Sequence, residues 1–157
     1  MVKLKFIFVG KTKETWIAEG MEHYEKMLSK YADLEFVEVK DEKVTRHSPE
    51  NMVLEKEGER VLKYLEKKSF SLALDSRGKM LSTEELAELF REKMNLGYND
   101  FIFVTGSALG LSPNVINSAD FRLSLSRMTF PHQLVRLILL EQVYRVFSII
   151  GGRKYHK

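Results

Sequence analysis

Leu4, Phe6 and Phe8 interleave with Lys3, Lys5 and Ile7, an alternation that predicts a short strand ending at Gly10. Ile17, Met21, Tyr24, Leu28 and Tyr31 then recur at helical spacing, so an amphipathic helix follows. Leu34 to Val39 repeats the strand pattern and leads into a charged loop, Lys40 to His47. After it Ser48-Pro49 predicts an N-cap and a first-turn proline for a helix reaching about Lys67. Phe70 to Leu74 forms a third strand, closed by the turn Asp75-Ser76-Arg77-Gly78. Ser82 with Glu85 three residues on is a capping box for the helix bearing Leu86, Leu89 and Phe90.

Phe101 to Val104 is apolar without interruption, as a strand covered by helices on both faces must be. Gly106-Ser107-Ala108-Leu109-Gly110 turns out of it toward a second cap pair, Ser112-Pro113, and a short helix. Phe121 to Leu125 is the fifth strand, and from Pro131 a helix runs to about Phe147, ahead of Gly151-Gly152. Strands alternating with helices at this spacing predict a mostly parallel α/β sheet flanked by helices. In such sheets ligands bind outside the carboxyl ends of the strands, so the loops after strands three, four and five are the expected site. No repeat, linker or low-complexity tract divides the chain, and residues 1–157 are read as a single domain.

The last helix is unusual. At about 100° per residue, His132 and Arg136 share one face and Glu141 and Arg145 lie nearly opposite. Leu134, Ile138, Val143, Tyr144 and Phe147 fill the other sectors, too many for a helix at the edge of a monomer. Two readings stay open, a central core helix or a helix packed on a second subunit.

Composition narrows the chemistry. With no cysteine, thiolate nucleophiles, iron–sulfur clusters and cysteine-rich zinc sites are excluded. His23, His47, His132 and His156 show no HxxxH or HExxH spacing, so no metal site is expected. The longest apolar run of the last third, Leu137 to Leu140, falls far short of the roughly 20 residues a membrane span requires. The start reads as a strand rather than a signal peptide, and a cytoplasmic protein is expected. The net charge of +3 permits a phosphate-bearing partner without demanding one.

Motif spacing excludes further classes. Gly106 to Gly110 is GxxxG, neither the dinucleotide fingerprint nor a phosphate loop, and no GxSxG elbow exists for a serine hydrolase. The turn therefore reads as either a structural bend or a loop that lets backbone approach a ligand. Asp75, at a strand end, is either a turn former or an active-site carboxylate. The tail Arg153-Lys154-Tyr155-His156-Lys157 sets cations beside an aromatic ring, suited to phosphates and an unpaired base, or to solvation alone.

One long composite motif is specific. The stretch Leu123-Ser124-Leu125-Ser126-Arg127-Met128-Thr129-Phe130-Pro131-His132-Gln133-Leu134-Val135-Arg136 is followed by Leu140-Glu141-Gln142-Val143-Tyr144-Arg145 and the ending Tyr155-His156-Lys157. In these segments the chain resembles the ribosomal RNA large subunit methyltransferase H family of the SPOUT superfamily. Leu74-Asp75, Gly78-Lys79, Ser82 through Leu86 and Phe103-Val104-Thr105-Gly106 extend the resemblance across the chain. One departure is Ser107, where the family usually carries a second adjacent glycine.

The resemblance implies a C-terminal trefoil knot, a homodimer, and S-adenosylmethionine as cofactor. It implies methylation of N3 of a pseudouridine in 23S rRNA within the assembled ribosome. Cofactor contacts carry over to Leu74, to Gly106, and to Leu125, Ser126, Arg127, Met128, Thr129 and Phe130, on the three loops chosen above. The pseudouridine N3 proton must leave, and His132, His156, Asp75 and Glu141 are candidate acceptors. Tyr155 and His156 are expected at the target base, with Arg145 and His132 completing the catalytic set. Arg136, Arg145, Arg153 and Lys154 are expected to neutralise RNA phosphates. Glu141 and Arg145, four apart, read equally as a plain ion pair. A ribosome-associated module without catalysis and an α/β enzyme acting on a small metabolite stand as the other readings.

Overall fold

A computed structural model describes residues 1–152 of the chain. Along them strands and helices alternate: β1 (Lys3–Val9), α1 (Thr15–Leu28), β2 (Asp33–Val39), α2 (Glu50–Leu62), β3 (Phe70–Met80), α3 (Thr83–Asn95), β4 (Asp100–Thr105), α4 (Pro113–Ser118), β5 (Phe121–Ser124) and α5 (His132–Ile150). The strands form one sheet in the order β2-β1-β4-β3-β5, with every neighbouring pair parallel. This is the α/β class read from the sequence. Because all strands point the same way, their carboxyl ends share one edge.

The period-2 alternation of β1 sorts its side chains between two cores. Leu4, Phe6 and Phe8 join Leu28 of α1, Phe90 of α3 and Val143 of α5 on one face. Ile7 and Val9 join Val61 of α2 and Val115 of α4 on the other. Register then stacks the rings: Phe6 pairs with Phe36 of β2 and Phe103 of β4, and its ring lies 5.2 Å from each. Burying each such side chain contributes about 1.5–3 kcal/mol. Phe101 to Val104 is buried throughout, as its unbroken apolar run required.

Local signals set the helix starts. At α3, Glu85 N donates to Ser82 Oγ and Ser82 N donates to Glu85 Oε1, both at 3.1 Å, completing the capping box. At α4, Val115 N donates to Ser112 Oγ at 3.3 Å, with Pro113 in the first turn. The Ser48-Pro49 expectation differs. Pro49 itself is the N-cap of α2, and the Ser48 hydroxyl instead accepts from Thr45 N at 3.2 Å, tightening the charged loop. That helix ends at Leu62, not near Lys67.

The third strand does not close at Asp75. It continues to Met80 with a register shift between Leu74 and Lys79, both opposite Leu123. Asp75 to Gly78 thus bulge out of a strand that resumes its pairing with β5. Gly78 permits this, because a Cβ there would come within 2.7 Å of the Arg122 backbone. The wheel of α5 also needs correction: Arg136 belongs to the buried stripe, beside Leu139, Leu140 and Val143.

Candidate functional site

Three segments meet at the carboxyl edge of the sheet around a cavity of about 300 Å³. Leu74 enters from β3, Gly106 from the turn after β4, and Leu125, Ser126 and Met128 from the loop after β5. Thr129 and Phe130, which close that loop, line it too, so the cofactor candidates share one hollow. Arg127 is the exception and does not line it. A wider hollow of about 880 Å³ lies along α1 and β2, but Glu22, Glu25 and Glu38 on its rim would repel a polyanion.

Each segment is held from within. The Ser124 hydroxyl donates to the Ser126 carbonyl at 3.0 Å, and Met128 N donates to Ser126 Oγ at 2.9 Å, shaping the loop after β5. After β4, Gly110 N donates to the Ser107 carbonyl at 2.8 Å. This folds the turn so tightly that a Cβ on Gly106 would lie 2.2 Å from the Gly110 carbonyl oxygen. Gly110 itself has φ of +87°, a left-handed conformation that favours glycine. The glycine spacing therefore serves both readings at once: it is a structural bend, and the bend forms one wall of the cavity.

The candidate proton acceptors differ in environment. His132 lines the cavity at the start of α5. Burial lowers its pKa below the ordinary 6.5, and the positive charges of Arg136 and Lys13 push the same way against Asp41. Its imidazole is neutral at pH 7. Asp75 also lines the cavity, but Arg122 Nη2 donates to it at 2.5 Å and Arg77 N at 3.3 Å. Burial raises that carboxyl, yet these donors and charges outweigh it and hold it below its usual value. A carboxylate so committed is a poor acceptor near neutrality. Glu141 accepts from Arg145 Nε and, at 2.8 Å, from Gln142 Nε2, the ion pair that the spacing allowed.

Arg136 is the clearest correction. The family resemblance points it at RNA phosphates, but it is fully buried, with Nη1 donating to Thr12 Oγ1 and its guanidinium over the Phe8 ring. Its fork is aimed into the core, so it neutralises no phosphate in this arrangement. Arg153, Lys154, Tyr155 and His156 lie outside the described residues.

A family profile described as "Predicted SPOUT methyltransferase" matches residues 2–156. The chain belongs to this family. Among curated relatives of this SPOUT methyltransferase, the "Ribosomal RNA large subunit methyltransferase H" of Carboxydothermus hydrogenoformans is 48% identical, over 99% of this chain and 100% of that one. The protein of the same name from Clostridium botulinum (strain Okra) is 44% identical, again over 99% and 100%. The resemblance carried by Leu123 to Arg136 is thus borne out. Among solved structures, a probable methyltransferase from Bordetella pertussis Tohama I superposes with a TM-score of 0.58 at 14% identity, covering 92% of this chain and 95% of that one. A probable methylase family protein from Haemophilus influenzae gives 0.57 at 12%, over 98% and 70%. At such identities the likeness shows the fold alone.

Two residues, Thr105 lining the cavity of this SPOUT methyltransferase and Glu57 behind it, escaped the sequence reading. Thr105 ends β4 in the cavity wall with its hydroxyl buried and, among the described residues, without a hydrogen-bond partner. The signal was present: it is the first polar residue after the apolar run Phe101 to Val104. Glu57 is buried on α2 and accepts from the Ser107 hydroxyl at 2.8 Å. Gly58 beside it, a glycine inside a helix, marked the close packing there.

Proposed function

We propose that this chain is an rRNA methyltransferase that uses S-adenosylmethionine to methylate N3 of a pseudouridine in 23S rRNA of the assembled ribosome. The observation that carries the reading is the convergence of Leu74, Gly106 and the loop after β5 on one cavity. The curated relatives, similar over their full length, bear names that state an action on large-subunit ribosomal RNA. The pseudouridine and its N3 rest on the family resemblance of Leu123 to Arg136.

The residues present fit the cofactor. The volume lies at the lower end for a small-ligand site. Leu74, Leu125 and Met128 offer apolar surface to a flat base, while the Thr105 hydroxyl, unpartnered among the described residues, offers a hydrogen bond to it. When bound, S-adenosylmethionine supplies an electrophilic methyl group on a sulfonium. The chain's task is then to place the target nitrogen in line with that methyl and to accept its proton. The neutral His132 imidazole lines the cavity and takes that proton on a ring nitrogen. Tyr155 and His156 complete the catalytic set at the base with Arg145, and Arg153 and Lys154 neutralise phosphates.

The same reading includes a homodimer, a trefoil knot and a cytoplasmic enzyme. Met128 and Phe130 stand exposed beside the cavity, apolar surface that a second subunit would cover. The test is transfer of radiolabelled methyl from S-adenosylmethionine to intact ribosomes against naked RNA, with the labelled nucleoside identified. Label in N3-methylpseudouridine from ribosomes supports the reading, and label in any other nucleoside, or none, overturns it.

A further inference from the structure

Glu57 is a carboxylate buried to 3% exposure in the middle of α2, and both of its oxygens are occupied. Oε1 accepts from the Ser107 hydroxyl at 2.8 Å, and Oε2 accepts from the backbone N–H of Glu42 at 3.0 Å. Burial of an ionised carboxylate is costly unless donors satisfy it, so a position that only filled space would be better served by an apolar side chain. The packing that puts it there is tight: a Cβ on Gly58 would lie 2.2 Å from Ser112 Oγ, at the start of α4. That contact presses α2 beneath the turn after β4 and aims Glu57 at the turn from behind.

Ser107 is the link. Its hydroxyl donates to Glu57 and accepts from Leu109 N at 3.4 Å, while its carbonyl accepts from Gly110 N at 2.8 Å. Ser107 also lines the cavity together with Gly106, Ala108 and Gly110. One side chain thus fastens the wall of the ligand cavity to a buried anion outside it.

We propose that Glu57 is a positioning residue that fixes the Gly106–Gly110 turn through the Ser107 hydroxyl and thereby sets affinity for the cofactor. It touches no ligand and acts on the binding site only through Ser107. The inference rests on the S-adenosylmethionine reading for the identity of the ligand. Its structural half, the tie between Glu57 and the turn, stands without it. The carboxylate suits the position because both donors need an acceptor and an ionised carboxylate accepts on both oxygens. Glutamine would keep one acceptor for Ser107 and set an NH2 group against the Glu42 N–H.

The experiment is a double-substitution cycle on the full chain with Ser107→Ala and Glu57→Leu, read by calorimetric titration with S-adenosylmethionine and by amide hydrogen exchange without ligand. Loss of one charge-assisted hydrogen bond should weaken affinity about fivefold to tenfold in either single variant. The double variant should be no weaker than the singles, because both changes cut the same tie. The KM for S-adenosylmethionine should rise by that factor while kcat falls by less, and the Gly110 amide should exchange faster to a similar extent. Glu57→Gln should fall between Glu57→Leu and the unsubstituted chain.

Unchanged affinity and exchange in Ser107→Ala, or losses that multiply in the double variant, would overturn the proposal. If Glu57→Leu does not fold, Ser107→Ala against Ser107→Thr decides, since threonine keeps the hydroxyl and should restore both readouts. An unsubstituted chain that ignores S-adenosylmethionine but keeps the exchange pattern overturns the cofactor reading while leaving the Glu57–Ser107 tie intact.

Discussion

Arg136 Nη2 donates to the Val9 carbonyl at 2.7 Å, joining the second turn of α5 to the last residue of β1. The Val9 carbonyl lies in the core, where an oxygen without a donor is costly. The second arm of the fork, Nη1, donates to Thr12 Oγ1 at 2.9 Å, and the planar group rests 5.0 Å from the centroid of the Phe8 ring. Burial pulls the guanidinium pKa down, and Glu38 and Asp41 counter it, but the group stays protonated at any pH the fold tolerates. A charged residue is thus a core member that fastens the helix bearing His132 to the end of the central strand.

Replacing Arg136 by Met keeps length and ring contact but strands the Val9 carbonyl and takes one donor from the Thr12 hydroxyl, which keeps its contact with Met21 Sδ. Destabilisation of about 2–4 kcal/mol is expected, read as a lower urea midpoint. Arg136→Lys, able to reach one acceptor rather than both, should cost less than Met. A loss for Arg136→Met under about 0.5 kcal/mol, the range of ordinary surface changes, would show that the fork carries no structural load.

Elements whose cause is local were legible in the sequence. Ser82 and Glu85 cap α3 as their spacing stated, and the apolar run Phe101 to Val104 forms the doubly covered strand β4. The three loops chosen at strand ends do meet, because a parallel sheet brings its carboxyl ends together whatever the strand order. Features whose cause lies across the chain were not legible. Arg136 reads as a polar face on a wheel, since nothing near it in sequence announces the Val9 carbonyl 127 residues away. Glu57 sits in a charged stretch that looks solvated, and its partners, the Ser107 hydroxyl and the Glu42 N–H, lie 50 and 15 residues away. Asp75 to Gly78 looks like a strand-ending turn, and only pairing with β5 beyond it reveals a bulge.

Gly106→Ala tests the turn directly. The added methyl would overlap the Gly110 carbonyl, at 2.2 Å from oxygen and 2.4 Å from carbon, and backbone cannot swing aside as a side chain does. Relief requires the turn to open, which displaces one wall of the cavity. Overpacking of this kind costs about 1–3 kcal/mol in stability. Calorimetric titration with S-adenosylmethionine should show a loss of more than about tenfold in affinity, the equivalent of about 1.4 kcal/mol. Binding as tight as in the unsubstituted chain would mean the ligand does not use this wall.

His132 connects the buried fork to the proposed reaction. Its pKa is lowered by burial first and by the Arg136 charge second, so the folded chain holds this imidazole neutral where an unfolded chain would begin to protonate it. The sign for stability follows. Below 6.5 the unfolded state binds the extra proton, and the fold loses stability as pH falls from there toward the lowered folded value. For catalysis, a base that stays unprotonated in this range keeps methyl transfer active below pH 6.5, and the acid limb of the kcat profile should lie under that value. His132→Asn should lower the rate by about 10²–10⁴-fold and remove the limb. Arg136→Met, by deleting a positive charge that depresses the imidazole, should move the limb up toward 6.5. Stopped assays with ribosomes from pH 5 to 8 read all three profiles, and a limb unchanged in His132→Asn would transfer the role of proton acceptor to another group.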